Sequence, residues 1–199
     1  MSRFLLAVML SSAVALPAFA ALAPGATAPD FSARASHAGK EFKFSMKHAL
    51  KKGPVVVYFY PSAFTGGCNI QAHTFAANME KFSAAGATVI GVSLDKIATL
   101  DEFSADPQYC AGKLPVASDP DGKIATSFEL KISDAHAGIK NTRGVEIDHA
   151  FAERTTFIVT PDGKIAATIG GLSPTENVEK TLAAVDALRA AGHAKPSAT

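Results

Sequence analysis

One short run constrains this chain more than any other. Pro54-Val55-Val56-Val57-Tyr58-Phe59-Tyr60 is apolar or aromatic throughout and has no polar face. Successive side chains of a strand point to opposite faces, so such a strand must be covered on both sides. Pro61 has no N–H to donate and ends it. Thr88-Val89-Ile90-Gly91-Val92-Ser93 is a second run of the same type. Between them, Gly66 to Ala85 carries Ile70, Phe75, Met79 and Phe82 at three- to five-residue steps, and Gly86 closes the run. That spacing predicts a helix. Buried strand, helix, buried strand is the unit of an α/β fold.

The flanking segments fit the same class. Phe31 and Phe42-Lys43-Phe44 alternate with polar residues, as half-buried strands do. Ser45 to Lys52 predicts one or two helical turns, and Lys96 to Ser104 a helix with Leu100 and Phe103 inward. Leu114 to Ser118 predicts a short strand, Asp119-Pro120-Asp121-Gly122 a turn, and Ile124 to Leu130 a short helix. Residues 131–150 mix polar residues with Gly138 and Gly144, which predicts a long loop with a short strand near its end. Thr155 to Val159 and Lys164 to Ile169 flank Pro161-Asp162-Gly163 and form a hairpin. Ser173 with Glu176 is a capping box. The helix it opens has Val178, Leu182, Val185 and Leu188 as its apolar stripe. One domain is expected over 21–191, entered through an Ala/Pro linker at Ala21–Pro29 and followed by a loose tail at 192–199.

Residues 1–20 stand apart. Arg3 is basic, Phe4 to Leu16 is mostly apolar, Pro17 breaks the run, and Ala18-Phe19-Ala20 has the small-x-small form of a signal-peptidase site. A signal peptide cleaved before Ala21 is expected, with a periplasmic or secreted product. The apolar run is short for a membrane span, and no membrane contact is expected of the mature form. The formal net charge is +1, and Arg3 accounts for it. A neutral mature chain without a basic cluster carries no footprint for nucleic acid. Export implies an oxidising compartment, where the two cysteines, Cys68 and Cys110, first suggest a structural disulfide.

The chemistry concentrates in Tyr60-Pro61-Ser62-Ala63-Phe64-Thr65-Gly66-Gly67-Cys68. A buried strand ends, a turn follows, and a helix begins at a cysteine. Unpaired N–H groups and the helix dipole at that point favour thiolate, the nucleophilic form. Thr65 is close enough in sequence for its hydroxyl to reach the same pocket, and Pro61 can close the pocket against water. A nucleophile acting on an O–O bond also needs a fixed cation or donors for the charge on the departing oxygen.

Pro61-x-x-x-Thr65-x-x-Cys68 resembles the peroxiredoxin active-site motif, in its expected place after a buried strand. Gly91-Val92-Ser93-Leu94-Asp95, Ser118-Asp119-Pro120-Asp121-Gly122 and Arg154-Thr155-Thr156-Phe157-Ile158-Val159-Thr160-Pro161-Asp162-Gly163 extend the resemblance from about Ala28 to about Ala190. The chain is most similar to the bacterioferritin-comigratory, or Q-type, branch of the AhpC/TSA family. The resemblance implies a thioredoxin-like fold, a central mixed sheet flanked by helices. It implies thiol-dependent reduction of hydrogen peroxide or organic hydroperoxides, with Cys68 attacking, Thr65 positioning peroxide, Arg154 supporting the charge and Pro61 shielding the pocket.

Some Q-type members carry a resolving cysteine five residues after the first; His73 stands there. Others carry it on the next helix, which makes Cys110 the candidate. No cofactor or metal is implied, and electrons would come from an external thiol, a thioredoxin-like protein or a small thiol. A monomer or weak dimer is expected. Two rivals remain: a thiol–disulfide exchange protein, although Thr65-Gly66-Gly67-Cys68 lacks the first sulfur of Cys-x-x-Cys, and a binding module with a structural Cys68–Cys110 bridge. His136 and His149, with Asp134 and Asp148, match no zinc spacing and read as solvated loop residues.

Overall fold

A computed structural model describes residues 21–135 and 137–192. The expected signal peptide, His136 and nearly all of the expected tail lie outside the described residues. In chain order the elements are β1 (Ser32–His37), β2 (Lys40–Ser45), α1 (Met46–Leu50), β3 (Val55–Phe59), α2 (Gly66–Ala84), β4 (Thr88–Ser93), α3 (Ile97–Ala105), β5 (Val116–Ser118) and α4 (Lys123–Ser127). They continue with β6 (Ile132–Ser133), β7 (Phe151–Ala152), β8 (Thr155–Val159), β9 (Ile165–Gly170) and α5 (Pro174–Ala190).

The main sheet runs β2-β1-β5-β4-β3-β8-β9. Strands β3, β4 and β5 are parallel, and β8 lies antiparallel to β3. Every residue of β3 is buried, and its alternation feeds two cores. Val56 and Tyr58 face a cluster with Phe75 and Phe82 of α2, Leu100 and Phe103 of α3, and Val178 and Val185 of α5. Val55, Val57 and Phe59 face a second cluster with Met46 and Ala49 of α1, Ala125 of α4 and Phe128. Helices on both faces explain why Val55–Tyr60 has no polar side.

Two segments depart from the reading of the sequence. Ala21–Pro29 is not a free linker: Gly25 N donates to Ile165 O, Ile165 N donates to Ala26 O, and Ala28 N donates to Gly163 O. Strand β9 is the sheet edge, and this segment pairs the backbone groups that the edge leaves open. Residues 131–150 are also more organised than a loop. Strands β6 and β7 pair with each other at its two ends, and Lys140 bridges to Glu146. Short helix α4 stops at Ser127, earlier than expected.

Candidate active site

The C-terminal ends of parallel strands are where loops gather in an α/β sheet. Residues 61–65 leave β3 at that end, and Asp95 follows β4 there. Arg154 arrives by a different rule. Because β8 is antiparallel to β3, Thr155 pairs with Phe59, so the residue before Thr155 lies beside the residue after Phe59. Three segments remote in sequence thus meet at one point.

Cys68 lies in the first turn of α2 and is 2% exposed. Arg154 Nη2 donates to its sulfur at an N···S distance of 3.3 Å. That contact favours negative charge on sulfur. Thr65 is the N-cap of α2, yet its side chain makes no capping bond. Its hydroxyl instead donates to Ser62 O at 2.9 Å. A cap contributes about 1 kcal/mol; here that bond is not made, and the first-turn N–H groups beside Cys68 keep no side-chain acceptor of their own. Pro61 is part-buried and opens the turn. Gly67 has a steric reason to be glycine: a Cβ there would stand 3.2 Å from Arg154 Nη2 and 3.5 Å from Pro174 Cγ.

Arg154 is held from behind by groups that the sequence did not announce. Its Nη1 donates to Gln71 Oε1. Gln71 Nε2 donates to Asn177 Oδ1 at 3.0 Å, and Thr156 Oγ1 donates to the same oxygen at 2.7 Å. Asn177 Nδ2 donates to Ile169 O at 3.0 Å. Gln71, Thr156 and Asn177 are fully buried, so the network fixes the guanidinium from inside the core. Gln71 was findable, since it stands three residues after Cys68 and shares its helix face. Asn177 had only the weak signal of a polar residue beside an apolar stripe.

The second sequence-predicted cysteine is free, like the first, and fully buried. Cys110 lies in the turn after α3 and belongs to the same apolar cluster as Cys68. Burial, and then the charge of Asp106, push its thiol far above the ordinary range. Tyr58 is buried within reach of both sulfurs. Burial raises its pKa first, charges at Cys110 and Cys68 add to this, and Arg154 opposes them. His73 bonds through Nδ1 to Gln108 O at 3.0 Å, tying α2 to the turn that carries Cys110.

His149 corrects the reading of a solvated loop residue. Its side chain is 13% exposed and pairs through Nε2 with Asp95 Oδ1 at 3.0 Å. The segment that carries it folds back over the active-site turn. Thr142 donates from both its N–H and its hydroxyl to Phe64 O, at 2.7 and 2.8 Å. The Arg143 guanidinium lies 3.5 Å above the Phe64 ring and also pairs with Glu102 and Asp106. Phe64 has φ +56°, a conformation costly for a bulky residue, and these contacts hold it there. Among the described residues no cluster of three or more metal-ligating side chains occurs, and no helix is long and apolar enough to cross a membrane.

Comparison with known proteins agrees with this geometry. The AhpC/TSA family model matches residues 24–168. A putative peroxiredoxin of Mycobacterium tuberculosis is 36% identical over 126 residues, covering 63% of this chain and 73% of that protein. The crystal structure of peroxidoxin BcpB from the same organism superposes with a TM-score of 0.68 at 26% identity, covering 84% of this chain and 98% of that one. A structure of the bacterioferritin comigratory protein of Xanthomonas campestris, solved to study alkyl peroxide reduction, gives a TM-score of 0.62 at 27% identity over 78% of this chain and 91% of that one. With the motif, the fold and the Arg154–Cys68 contact in place, the chain belongs to the AhpC/TSA family, in its Q-type peroxiredoxin branch.

Proposed function

We propose that Cys68 is the peroxidatic residue of a thiol-dependent peroxidase. The observation that carries this reading is the donor from Arg154 to the sulfur at a helix start. The Cys68 thiolate attacks one peroxide oxygen, an S–O bond forms and the O–O bond breaks. The departing oxygen takes a proton and leaves as water or alcohol. Arg154 and the uncapped first turn of α2 stabilise the charge that grows on it. Thr65, held through Ser62 O, positions the substrate, and Pro61 limits water.

Cys68 is left as sulfenic acid, which condenses with the Cys110 thiol to give a disulfide and one water. An external dithiol, a thioredoxin-like protein, or two small thiols then return both sulfurs to thiols. Both cysteines are buried, so this step requires the first turn of α2 and the turn after α3 to open. Ala111 at φ +53° strains the second turn, and Gly112 beside it bends freely, which suits that movement. The exchange-protein and binding-module rivals do not account for a buried network built behind Arg154. Export, to the periplasm or beyond the cell, belongs to the same proposal and rests on the pattern of residues 1–20; a monomer or weak dimer belongs to it too, by likeness to the Q-type branch.

The test is peroxide consumption with dithiothreitol as donor. Cys68→Ser is expected to reduce turnover to background, and Cys110→Ser to accumulate sulfenic acid that dimedone traps on Cys68. Thr65→Val separates the rivals, because disulfide exchange has no use for that hydroxyl. Intact, fully reduced protein that consumes neither hydrogen peroxide nor organic hydroperoxides would overturn the proposal.

A further inference from the structure

A serine, a histidine and an aspartate meet behind the active-site turn, which invites a nucleophile reading that the geometry refuses. Ser62 is 1% exposed, and its hydroxyl lies 3.2 Å from Asp95 Oδ1 and 3.3 Å from both Ala63 O and His149 Nε2. His149 Nδ1 faces Ala150 O at 2.8 Å, and Nε2 faces Asp95 Oδ1 at 3.0 Å. Both ring nitrogens face oxygen acceptors, and with a proton on each the ring is an imidazolium paired with a carboxylate. It has no lone pair with which to act as a base towards Ser62.

Asp95 links this pair to the peroxidase turn. Its Oδ2 accepts from Ala63 N at 2.8 Å and from Ser93 Oγ at 2.7 Å. One carboxylate therefore fastens Ser62 and Ala63 together. Ser62 in turn supplies the carbonyl that orients the Thr65 hydroxyl. The route from His149 to the Thr65 hydroxyl is three short contacts long, and every group on it except Thr65 and His149 is buried.

We propose that Asp95 and His149 are positioning residues of the peroxidase, which fix the turn bearing Thr65, and that activity falls as His149 loses its proton. The inference rests on the peroxidase reading above. Deprotonation at Nε2 would set a lone pair against a carboxylate oxygen 3.0 Å away. The Ser62 hydroxyl would then satisfy either the ring or Asp95, and one hold on the turn would loosen. Burial by itself lowers the pKa of His149, but the hydrogen bond and charge of Asp95, helped by Ala150 O and Asp148, outweigh it and raise the value above the usual 6.5. The other ionisable groups here are Asp148, its partner Lys96 at 2.5 Å, and Glu102, Arg143 and Glu146 around the same cavity. Tyr60 is buried nearby, and burial first, then the charges of Tyr58 and Asp95, raise the pKa of its phenol. None of these takes the place of the proton on Nε2.

The experiment follows loss of the Cys68 thiol on mixing reduced full-chain protein with hydrogen peroxide, by quenched flow and peptide mass spectrometry, between about pH 5 and 8.5. The wild-type rate constant is expected to drop roughly three- to tenfold along an alkaline limb, less than the hundredfold that an ångström of misplacement can cost. His149→Gln keeps an N–H for Asp95 but does not titrate, so it should hold the wild-type acid-side rate and lack that limb. Asp95→Asn should be slow at every pH. If a variant fails to fold, the wild-type protein still decides: the NMR titration of the His149 ring and the alkaline limb must share a midpoint. Superimposable profiles for wild type and His149→Gln, or different midpoints, would overturn the inference and leave the peroxidase reading intact. A Cys68 that does not react with peroxide at any pH would remove both.

Discussion

Cys68 and Cys110 are buried to nearly the same degree, at 2% and 0% exposed, in one apolar cluster, yet their surroundings oppose each other. Cys68 sits in the first turn of a nineteen-residue helix with a guanidinium on its sulfur. Cys110 sits in a turn between aromatic and aliphatic side chains, with the Asp106 carboxylate as its nearest named charge. One environment offers the sulfur a cationic donor; in the other, burial and a carboxylate raise the pKa of the thiol. Burial alone therefore does not decide the chemistry of a thiol; the sign of the nearest charge and the direction of the nearest helix do. For a peroxidase the asymmetry is useful. Burial and the Asp106 carboxylate hold the second sulfur as an inaccessible thiol while the first can meet peroxide.

The comparison can be broken most directly by alkylation. With iodoacetamide at neutral pH, Cys68 is expected to react and Cys110 to remain unmodified until denaturant opens the protein, as peptide mapping would show. Equal labelling of both in the native state would end the contrast. The next largest effect concerns the cation. Arg154→Met should lower the rate constant for peroxide by about 10²- to 10³-fold, the usual loss when one preorganised donor is removed, and stopped-flow or competition kinetics would measure it. A smaller effect is expected from the scaffold behind the cation. Asn177→Leu leaves Gln71, Thr156 and Ile169 O without their partner. A stability loss of about 3 kcal/mol in urea denaturation is expected, with an activity loss smaller than that of Arg154→Met. The smallest sharpens the Cys110 side. Asp106→Asn removes a charge that disfavours the Cys110 thiolate and should raise its labelling rate in mild urea by roughly twofold, since the charge acts near solvent.

Much of the site was legible because its signals are local. Val55–Tyr60 announced a doubly covered strand, Pro61 its end, and Gly66 to Ala85 the helix that begins at the cysteine. The capping box at Ser173 and Glu176 formed as read, with both reciprocal bonds present. Arg154 was identified only through resemblance to a family, and the antiparallel pairing of β8 with β3 explains why it reaches Cys68. The misreadings have one cause in common. Ala21–Pro29 and residues 131–150 lack periodicity, so nothing local shows what they pack on. One segment proved to close a sheet edge, and the other to clamp the turn at Phe64 and Asp95. His149 looked solvated because its partner lies 54 residues away.

By itself, the sequence determined the α/β class, the strand–turn–helix that presents Cys68, and the residue types needed for thiolate chemistry. Those follow from side-chain alternation, glycine and proline punctuation and helix-start chemistry, all set within a few bonds of each residue. Only the tertiary structure decided which charges face which sulfur, that Gln71 and Asn177 anchor Arg154, and that His149 is paired. These depend on strand order and on contacts between distant segments, and a pairwise distance across a fold is not encoded in the spacing of any one stretch of chain.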